Sequence, residues 1–456
     1  MFSYIKRVHF VGIGGIGMSG IAEVLINRGF EVSGSDLQES ENTRYLEKLG
    51  AKIFIGHAAE NIEGAEVVTY SSAVTIDKNP ETLEAISRKI PIIRRAEMLT
   101  EVSRLNYCLA IAGTHGKTTT TSMLSLILLR AGFDPTVIVG GRLKDLGGTN
   151  ARLGNGEWTV VEADEYDRSF LQLLPAVAVL TNIETDHLDV YGSFSDLKDA
   201  FQQFANKVPF YGFVCAGIDC KSIREILPQI NKKIVTFALT RKEADYYANN
   251  IRYKNFSSTC NVYERGELLG EITINVPGEY NVKNALAAIA VARQFGIDFE
   301  TIQKVILDFH GVFRRFEIKG NKNGAIIVDD YAHHPTEVNA TLKGARNYAN
   351  KRIIAIFQPH TYTRTADLYK EFAESFKYAD IVFVTDVYPA RELPIPGVTG
   401  ELIVEEACKR GYENIYYVEK KEDIPEKISK IIESDDIIIT IGAGDIWKIA
   451  DKILEN

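Results

Sequence analysis

Two glycine-rich strings and several clusters of acidic and histidine residues carry most of the chemistry this chain can do. VHFVGIGGIGMSG (residues 8–20) satisfies G-x-G-x-x-G with Gly12, Gly14 and Gly17, with Gly15 between them, and Asp36 follows near the end of the next apolar run. Glycines let a backbone approach a pyrophosphate, the N-terminus of the following helix stabilises its charge, and an acidic residue at this distance can meet a ribose hydroxyl. That chemistry suits any diphosphate. A nicotinamide cofactor is one solution and a nucleotide-sugar another.

AGTHGKTTTT (residues 112–121) presents Gly113, Thr114, His115, Gly116, Lys117, Thr118 and Thr119 at a strand-to-helix junction. In a Walker-type loop the backbone amides cradle phosphates, the lysine reaches the terminal phosphate and the following hydroxyl coordinates Mg²⁺. The strict spacing would need glycine where the chain has Ile111, so the match is to a shorter G-x-x-G-K-T form. Hydride transfer needs no ATP. Two phosphate loops therefore favour a reaction that spends a nucleoside triphosphate on a second nucleotide-bearing substrate, over a dehydrogenase or a nucleotide-switched binding module.

VVEADEYD (160–167) and TNIETDHLDVYG (181–192) end two apolar runs with Glu162, Asp164, Glu165 and Asp167, and with Glu184, Asp186, His187 and Asp189. Ligands of open α/β sheets sit at the carboxyl ends of strands, where Mg²⁺ takes oxygen donors, and Glu162 and His187 are the best-placed candidates. DDYAHHPTE (329–337) and FQPHTYTRT (357–365) put His333, His334, His360 and Arg364 in loops after strands, a composition that suits an anion. GAGD (442–445) is a weaker glycine turn, equally explained by tight packing.

The elements that must position these residues read as α/β throughout: short apolar runs alternate with helical patterns, as in parallel sheets. The runs RVHFVGI, EVSGSD, KIFIG, EVVTYS and PIIRR, with helices starting near Gly17, Glu41 and Pro80, predict a small doubly wound domain over residues 1–104. NYCLAIA, WTVVEAD and AVAVLTNI predict a second, P-loop ATPase-like unit over 105–313. It includes an antiparallel edge ribbon at 245–276 around a Glu-Arg-Gly-Glu turn, and closing helices near 281–295 and 299–308. GAIIVDDY, RIIAIFQ, DIVFVTDV, NIYYVE and DDIIITI, with helices near Pro335, Arg364, Val398 and Ile424, predict a third, Rossmann-like domain over 314–456.

Composition agrees with three folded domains: 456 residues, 45% hydrophobic and 25% charged. A net charge of −9 without basic runs argues against nucleic-acid binding by phosphate neutralisation. Five scattered cysteines without a C-x-x-C pair suggest neither a disulfide framework nor a thiolate zinc site. MFSYIKRVHF lacks the apolar stretch of a signal peptide and no run approaches a membrane span, so a cytoplasmic protein without membrane partners is expected.

Taken in order, GIGGIGMSGIAEVL, GTHGKTTT, VEADEYDRSF, TNIETDHLDVYG, GEYNVKNALAA, FRRFE, DDYAHHPTEV, FQPHTYTRT, DVYPARE and IGAGD closely resemble the Mur ligases of bacterial peptidoglycan synthesis over all three domains. The resemblance implies a UDP-sugar domain, a central ATPase domain and a C-terminal domain that closes over the site. It implies ATP as co-substrate, phosphorylation of the lactyl carboxylate of UDP-N-acetylmuramate, attack by the amine of L-alanine, and two Mg²⁺ ions, with Mn²⁺ as a substitute. DVYGSFSDLKDAF, FQPHTYTRT and DVYPARE favour the amino-acid-adding branch over the branch that adds a whole peptide.

Carried over by residue, Lys117 is similar to the lysine that stabilises the transferring phosphoryl group, Thr118 and Glu162 to the ligands of one Mg²⁺, and His187 to the histidine of the second. Asn281 and Asn284 match adenine-contacting asparagines, with Tyr280 where many members have histidine. Arg315 and Asp330 resemble residues that reach phosphate and ribose, and His360 and Arg364 those that approach substrate carboxylates, with Thr361 where some members carry arginine. Gly12, Gly14, Gly15, Gly17, Asp36 and Ser72 fall to the sugar nucleotide. One of His333 and His334 is a candidate general base by its pKa class. The carbamylated lysine of later Mur ligases is not expected here.

Overall fold

Every apolar run singled out above forms a strand in the computed structural model, which describes residues 4–185, 188–348, 352–390 and 392–455. The first sheet contains Arg7–Val11 (β1), Glu31–Asp36 (β2), Lys52–Ile55 (β3), Val67–Tyr70 (β4) and Ile92–Arg94 (β5). They run parallel in the order β3-β2-β1-β4-β5. Its helices are Ile16–Asn27 (α1), Glu41–Lys48 (α2), Pro80–Ser87 (α3) and Arg95–Ser103 (α4). Two starts are explained by their caps. Ser40 accepts from Thr43 N ahead of α2, and Asn79 accepts from Glu81 N and Thr82 N with proline at the first helical position of α3. The sheet order reverses at β1, so the first glycine loop leaves the carboxyl end of the strand at the switch point, where such folds bind ligands.

The second sheet begins with Tyr107–Ala112 (β6), followed by helix Lys117–Arg130 (α5), Thr136–Ile138 (β7), Ala151–Arg152 (β8), Trp158–Ala163 (β9) and Pro175–Leu180 (β10). Leu188–Tyr191 (α6), Phe194–Asn206 (α7), Phe213–Gly217 (β11), Lys221–Ile226 (α8) and Ile234–Ala238 (β12) come next. Tyr246–Lys254 (β13), Ser257–Glu264 (β14) and Glu267–Ile274 (β15) complete the order β15-β14-β13-β12-β11-β10-β6-β9-β7-β8. The predicted ribbon is thus three strands, not two around one turn. Both turns, Asn255-Phe256 and Arg265-Gly266, hold two consecutive residues at positive φ, the geometry of tight hairpins. Asn255-Phe256 lacks the glycine that marked the other turn. Helices Glu279–Gln294 (α9) and Phe299–Leu307 (α10) follow.

The third sheet contains Glu317–Lys322 (β16), Ala325–Asp330 (β17), Ile353–Phe357 (β18), Ile381–Thr385 (β19), Ile415–Val418 (β20) and Ile437–Ile441 (β21), in the order β16-β17-β21-β18-β19-β20. All its pairings are parallel except β16 with β17. Its helices are Pro335–Arg346 (α11), Tyr362–Ser375 (α12), Glu401–Lys409 (α13), Ile424–Ser429 (α14) and Trp447–Glu455 (α15). The near-continuous Ile/Val/Phe content of β17, β18 and β21 fits strands covered on both faces, and separate apolar clusters pack on each side of this sheet.

By contact, the chain forms two compact units: residues 1–249, 261–272 and 283–309, and residues 250–260, 273–282 and 310–456. In the first unit one apolar core runs from Phe10, Ile21 and Val102 through Ala110 and Val161 to Phe201 and Phe204. No helix of the described residues is long and apolar enough to cross a membrane.

Candidate active site

In the first unit, the first glycine loop is held by β2. Gly12 N and Ile13 N donate to the Ser35 carbonyl at 2.8 and 2.9 Å, and Gly14 N donates to Asp36 Oδ2 at 2.8 Å. Gly12 has φ +83°, with Ser71 packed where a side chain would point. Gly15 is the N-cap of α1, and Gly17 lies in its first turn. Asp36 is therefore engaged by the loop itself, its second oxygen accepting from Leu37 N at 2.8 Å. Its first role is to brace the loop, which the expected ribose contact leaves out. Ser72 lines a recess of about 250 Å³ with Tyr70, Arg94 and Arg95 at the carboxyl ends of β4 and β5.

The second loop joins β6, whose last five residues are buried, to α5, with Gly116 as N-cap at φ +84°. A Cβ there would stand 2.4 Å from Asn284 Oδ1. The start of a helix leaves backbone N–H groups without intrahelical acceptors, which is what a phosphate needs. The end of β10 ties the loop down. Thr181 Oγ1 and Asn182 Nδ2 donate to the His115 carbonyl at 2.6 and 2.9 Å, and His115 N donates to Asn182 Oδ1 at 2.8 Å. Thr114 Oγ1 accepts from Glu184 N at 2.9 Å. Thr118 and Thr119 are buried in the first turn of α5.

Lys117 meets an unforeseen partner. Its Nζ lies 2.7 and 2.9 Å from the two carboxylate oxygens of Glu165, and donates to the Gly113 carbonyl at 2.6 Å. Glu165 is buried, and Tyr191 Oη donates to its carbonyl at 2.6 Å. Burial works against the ammonium, but Glu165, Asp164 and Glu162 outweigh it and hold the Lys117 pKa above its ordinary value. The acidic string divides its labour. Glu165 pairs with Lys117, Asp164 accepts from Arg95 Nη2 at 3.2 Å, and Glu162 stands opposite Ile111 in the register of β6 and β9, beside the loop. Thr118 and Glu162 offer hard oxygen donors, the kind Mg²⁺ selects. His187 lies outside the described residues.

In the second unit, His333, His360 and Arg364 come together. The two imidazole centroids are 5.9 Å apart, Arg364 Nη1 is 3.4 Å from His360 Nδ1, and His360 stacks on Tyr388 at 5.7 Å. Burial pushes both imidazoles down to about 4, with Arg364 adding to the shift; Glu337, 3.3 Å from His333, opposes it. His334 separates from this group: it is the buried N-cap of α11, and its Nδ1 accepts from Thr336 N. The cap engages Nδ1 of His334 and leaves His333 as the one of the two histidines that stands beside His360.

Asp330 is buried, accepts from Phe316 N and Ala332 N at 2.7 and 2.8 Å, and is pushed up to about 6 by burial. Arg315 lies over the Tyr331 ring at 5.1 Å and 4.0 Å from Glu337. Its neighbour Arg314 is structural, binding Asp329 and the carbonyls of Gly442 and Gly444 at 3.0, 2.6 and 3.1 Å. GAGD is thus a packing turn. Asn281 Nδ2 donates to the Pro277 carbonyl at 2.7 Å.

Three family descriptions match successive parts of the chain: "Mur ligase family, catalytic domain" over residues 7–107, "Mur ligase middle domain" over 111–292 and "Mur ligase, glutamate ligase domain" over 314–444. A UDP-N-acetylmuramate–L-alanine ligase of Geobacter sp. (strain M21) is 50% identical over 455 residues, covering 100% of this chain and 98% of that protein. The chain belongs to the Mur ligase family. A second such ligase, from Salinibacter ruber, is 49% identical over 99% of this chain and 95% of that protein. The crystal structure of UDP-N-acetylmuramate–alanine ligase MurC from Thermotoga maritima superimposes with a TM-score of 0.84 at 32% identity, covering 98% of both chains. A murein peptide ligase from Psychrobacter arcticus gives 0.72 at 25% identity, covering 99% of this chain and 98% of that one. Mur ligases are ATP-dependent, and both glycine loops of this one lie in its first unit. Sequence reasoning missed Thr181, Asn182 and Glu165 as supports of the second glycine loop, because each acts through a neighbour far along the chain.

Proposed function

We propose that this Mur ligase joins L-alanine to the lactyl carboxylate of UDP-N-acetylmuramate at the expense of ATP, in the cytoplasmic assembly of peptidoglycan precursors. The reading rests on one observation: a chain carrying both glycine-rich loops aligns along its whole length, at 50% identity, with a UDP-N-acetylmuramate–L-alanine ligase.

In this scheme a lactyl carboxylate oxygen bonds to the γ-phosphorus of ATP while the bond to the ADP oxygen breaks. The amine of L-alanine then attacks the acyl carbon, phosphate leaves with the C–O electron pair, and the amine gives up its proton to a base. Phosphoryl transfer asks mainly for positioning and charge stabilisation. Amides at the start of α5 bind the phosphates, and Lys117 exchanges the Glu165 carboxylate for phosphoryl oxygens. Thr118 and Glu162 would hold Mg²⁺ or Mn²⁺, and His187 a second ion, which when bound neutralise the phosphate charge. Gly12–Gly17 take the sugar-nucleotide diphosphate, with Ser72 beside them. His360 and Arg364 suit the carboxylate of the amino acid. His333, neutral at physiological pH, is the candidate proton acceptor in place of His334.

The test is phosphate release. It should require UDP-N-acetylmuramate, L-alanine and Mg²⁺ together, and Lys117→Ala should abolish it. Release indifferent to the sugar nucleotide would overturn ligation, and preference for a tripeptide over L-alanine would reassign the chain to the peptide-adding branch.

A further inference from the structure

Beneath the first glycine loop lies a buried polar cluster that ligation chemistry leaves unused. Glu81, in the first turn of α3, has 0% exposure and, among the described residues, no lysine or arginine pairs with it. Ser35 Oγ donates to its Oε2 and Asn61 Nδ2 to its Oε1, each at 2.6 Å, while His57 Nδ1 and His9 Nε2 lie 3.3 and 3.7 Å from Oε2. His9 is itself wholly buried, with Nδ1 2.9 Å from Ser33 Oγ, and His57 Nδ1 is 2.9 Å from Ser35 Oγ. Burial favours the neutral acid, yet the bonds from His9, Ser35 and Asn61 hold the Glu81 pKa below the usual carboxylate value. A buried carboxylate is costly, and an apolar side chain of similar size would stabilise a core at least as well. Its presence calls for another reason.

The end of β2 supplies that reason. The residue Glu81 grips, Ser35, offers its carbonyl to Gly12 N and Ile13 N, and the next residue, Asp36, accepts from Gly14 N. Three amides of the glycine loop are thus fixed by two adjacent residues, one of them anchored from below. We propose that Glu81 is a positioning residue for the sugar-nucleotide loop, acting through Ser35 to set where the Gly12–Gly14 amides meet the diphosphate. The inference rests on the reading that this loop holds the sugar nucleotide.

Steady-state kinetics of Glu81→Gln and Ser35→Ala in the full-length enzyme test it. A glutamine cannot present two acceptor oxygens to Ser35 and Asn61, and alanine removes the grip without changing the backbone. Each should raise KM for UDP-N-acetylmuramate about tenfold, the size of one lost charge-assisted hydrogen bond. KM for ATP and kcat should stay within about twofold. Ser35→Ala keeps the test open if Glu81→Gln does not fold. Unchanged KM for the sugar nucleotide, or equal increases for both substrates, would show a scaffold role and overturn the proposal. Gly14→Ala, whose Cβ would stand 2.8 Å from Asp36 Oδ2, separates the two ideas. If it leaves sugar-nucleotide affinity intact the loop assignment fails; if it abolishes affinity while Glu81→Gln and Ser35→Ala do nothing, only the Glu81 role fails.

Discussion

Removing either partner of the Lys117–Glu165 pair should destabilise the first unit, while removing both should not. The ammonium touches both carboxylate oxygens, at 2.7 and 2.9 Å, and the side chains are only 17% and 2% exposed. Breaking a buried pair by deleting one member costs about 3–5 kcal/mol, because the survivor is left charged in a poorly solvated site. In Glu165→Gln, Lys117 keeps the Gly113 and Thr114 carbonyls at 2.6 and 3.3 Å, which places the cost near the lower end, about 3 kcal/mol. Lys117→Met strands Glu165 and should cost at least as much. The double variant Lys117→Met/Glu165→Leu loses the Coulomb attraction and the desolvation penalty together, and should fall within about 1–2 kcal/mol of the parent. Equilibrium urea unfolding followed by tryptophan fluorescence measures this. Trp158 opens β9, the strand that leads to Glu165, and Trp447 can be replaced by phenylalanine to isolate the signal. Single variants that each cost less than about 1 kcal/mol, and add within about 0.5 kcal/mol in the double, would refute a buried charged pair. Lys117→Met and the double variant should lose ATP turnover at least about a hundredfold whatever their stability, since the charge on the transferring phosphoryl group goes uncompensated.

Three further outcomes follow from the geometry. Gly116→Ala should raise KM for ATP at least about tenfold with the circular dichroism spectrum unchanged, since a left-handed φ costs an L-residue about 1–2 kcal/mol and its Cβ meets Asn284; wild-type ATP kinetics would show the loop to be softer than drawn. His333 and His360 have folded pKa values near 4, below the ordinary 6.5, so the unfolded chain binds more protons between those values and they cost the second unit stability as pH falls through that window. Asp330, raised to about 6, acts in the opposite sense from pH 6 down to its ordinary 3.8, so His333→Gln/His360→Asn should flatten the urea midpoint against pH and Asp330→Asn should steepen it; slopes indifferent to all three would contradict these assignments. Arg314→Lys should cost about 1–3 kcal/mol in urea unfolding of the second unit, because an ammonium cannot span Asp329 and two carbonyls as the guanidinium does, and a change under about 0.5 kcal/mol would be inconsistent with that role.

Much of the architecture was legible locally. Apolar runs flanked by turn residues gave the long parallel strands, and start signals placed helices at Glu41, Pro80, Pro335 and Ile424, where they occur. Other elements escaped: β11 and β12, five-residue parallel strands whose short apolar runs were not singled out, β7 and β8, with three and two residues, and β16, EIKGNK, a half-exposed edge without apolar alternation. The hairpin at Asn255-Phe256 was invisible because only tertiary packing holds a phenylalanine at positive φ.

By itself the sequence determined the α/β class, the two glycine-rich strand-to-helix loops and the family, since glycine spacing, a lysine at a helix start and apolar periodicity are all local quantities. It could not say which carboxylate of Glu162, Asp164 and Glu165 meets Lys117, or which of two adjacent histidines joins His360 and which caps a helix. Nor could it single out Glu81, an ordinary residue in a first helical turn. Those choices depend on partners 20 to 48 positions away, such as Ser35, Asn61 and Lys117, or on which way a side chain leaves its backbone. Only the folded chain brings such partners within 3 Å, where a hydrogen bond can form and the attraction between opposite charges is strongest.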